Sequence, residues 1–237
     1  MLKFKFLEIS PSPYSCIGSF GSPLEMKRLF DIIFSLLGLT ILSPLLLILA
    51  YRIKKEDRGP VFYRGVRVGR DGTPFRIFKF RTMIVDAEKL GISSTSDDDP
   101  RITRIGKFLR KYKFDELPQL INVLKGDMSL VGPRPEVKKF TDLFTEEEKA
   151  ILTVKPGITD WASIWNPDEG VLLKGSLDPD RDYLEKIRPE KIRLQLKYVT
   201  ERSFWIDLRI IAQTLLKVFR KTWGHPLVAA WQGRVVL

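Results

Sequence analysis

Residues Ile32–Tyr51 read IIFSLLGLTILSPLLLILAY, twenty positions without one charge. A helix of that length rises about 30 Å, roughly the hydrocarbon thickness of a bilayer. Its flanks are basic on both sides, with Lys27 and Arg28 before it and Arg52, Lys54 and Lys55 after it. Charge bias therefore gives a spanning helix no preferred orientation. Ser43-Pro44 falls past the middle of the run, and proline removes a backbone donor and bends a helix off its carbonyl ladder. Two forms stay open on these residues. One is a kinked span; the other is a re-entrant helix that turns at Ser43-Pro44, returns both basic flanks to the cytoplasm, and uses Ser43 to satisfy a carbonyl freed by the proline. A secretory signal fits poorly, because the run is too long and no small-residue cleavage site follows.

Around this segment the chain divides into four stretches. Residues 1–25 are rich in turn formers and aperiodic, a disordered or loosely attached extension, and Met26 opens the organised part. Residues 26–55 hold the apolar segment with its basic flanks, 56–221 a mixed polar and apolar domain with amphipathic helices, and 222–237 a tail. The 237 residues carry 40 Lys and Arg against 29 Asp and Glu, a net +11, which calls for an anionic partner: nucleic acid, lipid headgroups or a phosphorylated substrate. One cysteine, Cys16, rules out an internal disulfide framework. One histidine, His225, argues against Ser-His-Asp and Cys-His nucleophiles and against a His/Cys zinc site. Neither a Walker-type loop nor a G-x-G-x-x-G is present.

Past the membrane helix, residues 60–82 alternate apolar and basic positions around Asp71-Gly72, which predicts a β-hairpin. Alternation puts Arg76 on one strand face and Lys79 and Arg81 on the other. Asp97-Asp98-Asp99-Pro100 reads as a solvated loop and helix cap. The spacing then predicts an amphipathic helix over Arg101–Lys113, with Ile102, Ile105, Leu109 and Tyr112 on one stripe. Such a basic helix either lies on an anionic membrane or packs on a core and shows its cations to water.

Arg110-Lys-Tyr-Lys-Phe-Asp115-Glu116-Leu-Pro118 sets two adjacent carboxylates among cations, and Pro133-Arg134-Pro135 follows downstream. Leu117, Leu120, Ile121 and Leu124 have the spacing of a packed helix. Asp115 sits where an N-cap belongs and Glu116 in its first turn, a reading that needs no chemistry. The same positions also suit a nucleophile. The positive helix end keeps the carboxylate ionised and its free N–H groups can hold phosphate. Arg110 and Arg134 could then neutralise a phosphoryl transition state, with the flanking prolines restricting the backbone of Arg134.

Thr145-Glu-Glu-Glu148 is a capping box. Trp161 and Trp165 could stack on a base or sugar, although core packing is the commoner use of tryptophan. A helix over about 189–202 leads into a second one carrying the apolar stripe Phe204, Leu208, Ile211, Leu215 and Phe219. Trp205 and Trp223 bracket it, as at a membrane interface.

From about Met26 to Lys221 the chain resembles the bacterial sugar transferases, the monotopic phosphoglycosyl transferases that start lipid-linked glycan assembly. The resemblance rests on Lys27-Arg-Leu-Phe-Asp31, Ser43-Pro44, Gly59-Pro-Val-Phe62, Lys79-Phe-Arg81-Thr-Met83, Asp99-Pro-Arg-Ile-Thr-Arg-Ile-Gly106, Asp115-Glu-Leu-Pro-Gln-Leu120, Ser129-Leu-Val-Gly-Pro-Arg-Pro135, Lys155-Pro-Gly-Ile158 and Ser203-Phe-Trp-Ile-Asp-Leu208.

The resemblance implies a mainly helical α+β fold with a re-entrant membrane helix broken at Ser43-Pro44, interfacial helices and a small β-hairpin or sheet. It implies an enzyme of the bacterial inner membrane, its catalytic domain on the cytoplasmic face, that moves a sugar-1-phosphate from a UDP-sugar to polyprenyl (undecaprenyl) phosphate. Asp115 would be the nucleophile and Glu116 its partner acid, with Mg2+ at the two carboxylates. Arg110, Arg134, Lys79 and Arg81 would contact phosphate. No nucleic acid is implied, and homo-oligomer formation stays open. Many relatives carry Gly-Trp-Ala-Gln-Val-Asn-Gly-Arg where this chain has Asp160-Trp-Ala-Ser-Ile-Trp-Asn-Pro167, so a donor preference set by that loop does not transfer. The competing readings are a non-catalytic membrane scaffold of the same fold and a nucleic-acid binder. The intact Asp115, Glu116, Arg110 and Arg134 set weighs against the first, and the apolar segment against the second.

Overall fold

The apolar run forms part of a single helix, α1 (Pro23–Asp57). A computed structural model describes residues 23–87 and 95–222. The expectations for residues 1–22, for the middle of the polar loop and for the tail with Trp223 and His225 lie outside the described residues. α1 is long and apolar enough to cross a membrane and runs without interruption through Pro44, where the sequence predicts a break. The reason is local. Pro44 cannot donate to the Thr40 carbonyl four residues back, and the Ser43 hydroxyl donates to that carbonyl instead, at 2.8 Å.

Both ends of α1 are fastened to the same body. Near its start the Lys27 ammonium pairs with Asp207 and donates to the Val131 carbonyl, Arg28 donates to the Val123 and Leu124 carbonyls, and buried Asp31 accepts from Ser129 Oγ and Leu130 N. Toward its end Leu49 and Ile53 pack with Phe80 and Leu109, and Asp57 takes the Arg81 guanidinium. Between these anchors Ile33, Phe34, Leu36, Leu37, Ile41, Leu47 and Ile48 face outward, exposed.

The hairpin forms around Asp71-Gly72 as its turn chemistry requires. β2 (Val66–Val68) pairs antiparallel with β3 (Pro74–Arg76), Val66 opposite Arg76, and both Asp71 and Gly72 take positive φ, as a tight hairpin turn demands. The ladder does not continue straight. β1 (Phe62–Tyr63) pairs with β4 (Lys79–Phe80) as a separate ribbon, and the gap between the two is closed by a side chain. Asn122 Oδ1 accepts from Phe78 N at 2.7 Å and its Nδ2 donates to the Arg76 carbonyl at 2.9 Å, so a side-chain amide replaces a peptide partner. Asn122 belongs to α3 (Gln119–Lys125), which is how that helix is seated beside Lys79.

α2 (Arg104–Tyr112) precedes α3, its N-terminus capped by Thr103 Oγ1 on Gly106 N at 3.0 Å. The sequence places this helix start at Arg101 and a cap among the aspartates. Arg101 instead lies buried against Asp99 at 2.6 Å, because two opposite charges two residues apart can bury together where neither could alone. Leu109 fills the core as expected. β5 (Ser129–Val131) and β6 (Gly157–Thr159) form a parallel pair; between them lies α4 (Lys138–Thr141). The Thr145–Glu148 capping box closes with both reciprocal bonds, 3.0 and 3.3 Å, but opens a 3-10 segment rather than an α-helix.

The remainder is helical: α5 (Trp161–Trp165), α6 (Glu169–Leu172), α7 (Pro179–Asp182), α8 (Arg188–Glu201) and α9 (Phe204–Thr222). α9 packs through Asp207 and Ile210, while Phe204, Trp205 (77 % exposed), Leu215 and Leu216 face out. The fold is thus mainly helical with small sheets.

Candidate active site

α2 ends at Lys113, a non-glycine residue in the left-handed region (φ 59°), whose N–H closes on the Arg110 and Leu109 carbonyls. That reversal starts a single 3-10 turn, Phe114–Glu116, which carries both carboxylates. Phe114 packs against the core that holds Leu109, so an apolar anchor fixes the turn. Asp115 does not cap α3. Pro118 precedes Gln119, no side chain caps that helix, and Asp115 is buried (8 % exposed) with Oδ1 lacking a hydrogen-bond partner.

Glu116 is held quite differently. Arg134 straddles it, Nη1 to Oε2 at 3.0 Å and Nη2 to Oε1, and Lys79 Nζ donates to Oε1 at 3.0 Å. Burial alone would lift this carboxyl, but Arg134 and Lys79 hold it well below the usual carboxylate range. Asp115 goes the other way: burial and the adjacent Glu116 charge push it up, opposed by Lys79, Lys113 and Arg110. Two neighbouring carboxylates with oppositely displaced pKa values are a recurrent mark of acid–base and nucleophilic sites. The upward shift differs from the simple helix-end reading, in which the dipole keeps Asp115 ionised; burial outweighs a single short turn.

Arg110 stands on α2 with Nε on Thr82 Oγ1 at 3.0 Å. Thr82 is itself gripped, its carbonyl accepting from Thr103 N at 3.0 Å and pressed so close by Gly106 that a Cβ there would overlap it. The structure therefore brings Asp115, Glu116, Lys79, Arg110 and Arg134 into one cluster of interacting charges, which Lys113 joins. Arg81 stands apart in role. Its guanidinium donates to Asp57 and to the Pro60 and Met83 carbonyls, and the Asp57 carboxyl is drawn down to about 2 in return. Its nitrogens are consumed in tying α1 to β4. Ser43 and Pro44 lie within α1.

Several residues at the site carry no sequence signal of their own. Thr82 and Asn122 act through contacts far apart in the chain. Asp160 is fully buried and accepts from Ser163 N, Arg134 N and Gln195 Nε2; the departure of Asp160–Pro167 from its relatives is the one clue to it. Behind Arg134, buried Lys191 pairs with Glu136 at 2.5 Å and Glu169 at 2.8 Å. Of the two indoles, Trp161 packs beside Val131 and Ile210, while Trp165 is exposed. No group of three or more His, Cys, Asp or Glu side chains suited to a metal occurs among the described residues. An Asp115 oxygen without a partner nevertheless fits a magnesium ion whose other ligands are diphosphate oxygens and water. Glu116 fits less well, both of its oxygens being taken.

A family model described as bacterial sugar transferase matches residues 23–221. A UDP-glucose:undecaprenyl-phosphate glucose-1-phosphate transferase of Escherichia coli is 38% identical over 197 residues, 82% of this chain and 40% of that protein. A UDP-N-acetylgalactosamine-undecaprenyl-phosphate N-acetylgalactosaminephosphotransferase of Aeromonas hydrophila is 39% identical over 193 residues, 80% of this chain and 43% of that one. An uncharacterized sugar transferase of Bacillus subtilis is 38% identical over 193 residues, 81% and 87% of the respective chains. The chain thus spans about two fifths of the length of the first two relatives.

Proposed function

Because this chain belongs to the bacterial sugar transferase family, we propose that it moves a sugar-1-phosphate from a UDP-sugar to a polyprenyl phosphate such as undecaprenyl phosphate, initiating a glycan. The observation that carries this reading is Asp115: a buried carboxylate with an unpartnered oxygen, flanked by Lys79, Lys113 and Arg110, with Arg134 on the adjacent Glu116. A phosphoryl group is the substrate that such a carboxylate among fixed cations serves best.

In the first step an Asp115 carboxylate oxygen attacks the sugar-bearing phosphorus of the diphosphate. The new bond is an acyl phosphate, and the phosphorus–oxygen bond to UMP breaks. In the second step an oxygen of the polyprenyl phosphate attacks the same phosphorus. The acyl-phosphate bond breaks, Asp115 is restored and a polyprenyl-diphosphate-sugar leaves. Asp115 must be ionised to attack. Arg110, Lys113 and Lys79 favour its charged form, and a magnesium ion bound with the diphosphate would add positive charge at Asp115. Glu116, held ionised between Arg134 and Lys79, orients those cations rather than trading protons.

We read α1 as re-entrant, bending at Pro44 within a continuous helix, and the catalytic body as lying on the cytoplasmic face of the bacterial inner membrane. The support is that both basic ends of α1 bond to one body while the apolar side chains between them face outward. The relatives' names specify glucose in one case and N-acetylgalactosamine in another, so the sugar stays open.

Turnover is tested by UMP release from a panel of UDP-sugars with polyprenyl phosphate and magnesium. Intact-mass analysis without acceptor should find one phosphosugar on the protein, absent from Asp115→Asn. Near-normal turnover by Asp115→Asn would overturn the covalent mechanism. Cysteines placed just before Lys27 and just after Lys55 should both label from the cytoplasmic side, and labelling from opposite sides would sink the re-entrant topology.

A further inference from the structure

Arg134 lies between two prolines, so its N–H is the only main-chain donor in Pro133-Arg134-Pro135. That donor goes to Asp160 Oδ2 at 3.2 Å. The Arg134 carbonyl in turn accepts from Gln195 Nε2 at 3.4 Å, and the same Nε2 donates to Asp160 Oδ2 at 3.2 Å. Asp160 Oδ1 takes Ser163 N at 2.7 Å, capping α5. One side of the loop is secured as well, Gly157 N donating to the Pro133 carbonyl at 2.9 Å. Asp160 and Gln195 are both fully buried.

Burying a carboxylate with no ion-pair partner is costly unless its oxygens are met by donors, and here three donors meet them. A helix cap needs only one oxygen. The second oxygen does something a cap does not require: it grips the peptide of the arginine that straddles Glu116.

We propose that Asp160, with Gln195, is a positioning residue for the transfer reaction, locking the Arg134 peptide so that its guanidinium is delivered to the anion site. This rests on the phosphotransfer reading above. Asp160→Ser separates the two roles: its hydroxyl can still cap α5 on Ser163 N, but it has no second oxygen for Arg134 N and Gln195 Nε2.

The experiment uses the full chain in detergent, as parent, Asp160→Ser, Arg134→Ala and the double variant, with Gln195→Ala as a milder companion. Turnover and binding of inorganic pyrophosphate are both measured, alongside thermal unfolding. Asp160→Ser should lower kcat by about 10- to 100-fold, the scale of a mispositioned catalytic group, with KM changed far less, and should weaken pyrophosphate binding. In the Arg134→Ala background it should cost nothing further in either readout, while still lowering the melting temperature. Gln195→Ala should repeat the pattern at smaller amplitude. Equal losses with and without Arg134 would overturn the proposal, and full activity in Asp160→Ser would overturn it too and leave Asp160 a helix cap. If no UDP-sugar is turned over, the function reading fails, and the pyrophosphate cycle still decides the positioning role.

Discussion

Replacing Arg134 with alanine isolates what the Glu116 pair contributes. The carboxylate has three donors, two from Arg134 and one from Lys79. Truncating one partner of a buried ion pair costs about 3–5 kcal/mol, chiefly because the other charge is stranded. Lys79 stays behind, so the low end applies, about 3 kcal/mol. In a domain of this size each kcal/mol moves the melting temperature by about 2–4 °C, a shift of about 6–12 °C in all. The pH dependence carries the sharper signature. In the parent Glu116 is held well below its ordinary 4.5, so its stabilisation is present above that value and disappears as pH falls through the folded pKa. In Arg134→Ala burial gains the upper hand and lifts the carboxyl, so the variant is penalised above 4.5 and relieved on acidification. The gap between the two proteins should be widest near neutral pH and shrink toward about pH 4.5. Thermal unfolding followed by circular dichroism at both pH values measures it. A gap under about 2 °C at neutral pH, or one that widens on acidification, would refute the account of Glu116 as a stranded buried charge.

Three further outcomes follow from the packing. Gly106→Ala drives a methyl into the Thr82 carbonyl, so it should cost about 1–3 kcal/mol of stability and disturb Arg110, read out as lowered thermal midpoint and lowered UMP release together. Arg81→Met should destabilise by about 3 kcal/mol and make the chain near Arg58 a new site of limited proteolysis; the Asp57 carboxyl, now at about 2, should titrate near its ordinary value, so the stability the parent loses below 3.8 should be missing from the variant. Leu109→Ala, at a fully buried position, should cost about 2–5 kcal/mol in the same unfolding assay, with binding of pyrophosphate retained below the new midpoint.

What could be read from the chain was what short-range chemistry determines. Asp71-Gly72 demands a tight turn, a charge-free twenty-mer demands a helix, and Thr145 with Glu148 closes its own box. The Asp115 turn was harder to see, because its conformation is imposed by Lys113 turning left-handed and Phe114 docking on a distant core, and a nearby helix made the cap reading natural. Arg81 was read as a phosphate contact and Arg101 as a cation on a helix surface, because their acids, Asp57 and Asp99, cannot be matched to them by periodicity. The parallel pairing of β5 with β6 and the bridge from Asn122 to the broken hairpin join segments 28 and 46 residues apart, a separation over which local pattern says nothing. The motifs gathered the proposed site residues, but not the contacts of Asp160, which joins Arg134 across 26 positions of chain.

The two-ended attachment of α1 makes that helix a keyed part. An inserted residue would advance one end by about 1.5 Å and rotate it by about 100° relative to the other, so Lys27, Arg28 and Asp31 could not meet their partners while Leu49, Ile53 and Asp57 met theirs. Seven residues, close to two turns, would nearly restore the angle yet lengthen the part by about 10 Å. Its length and phase are therefore frozen together, and adaptation to a different lipid is confined to the outward-facing side chains between the two anchors.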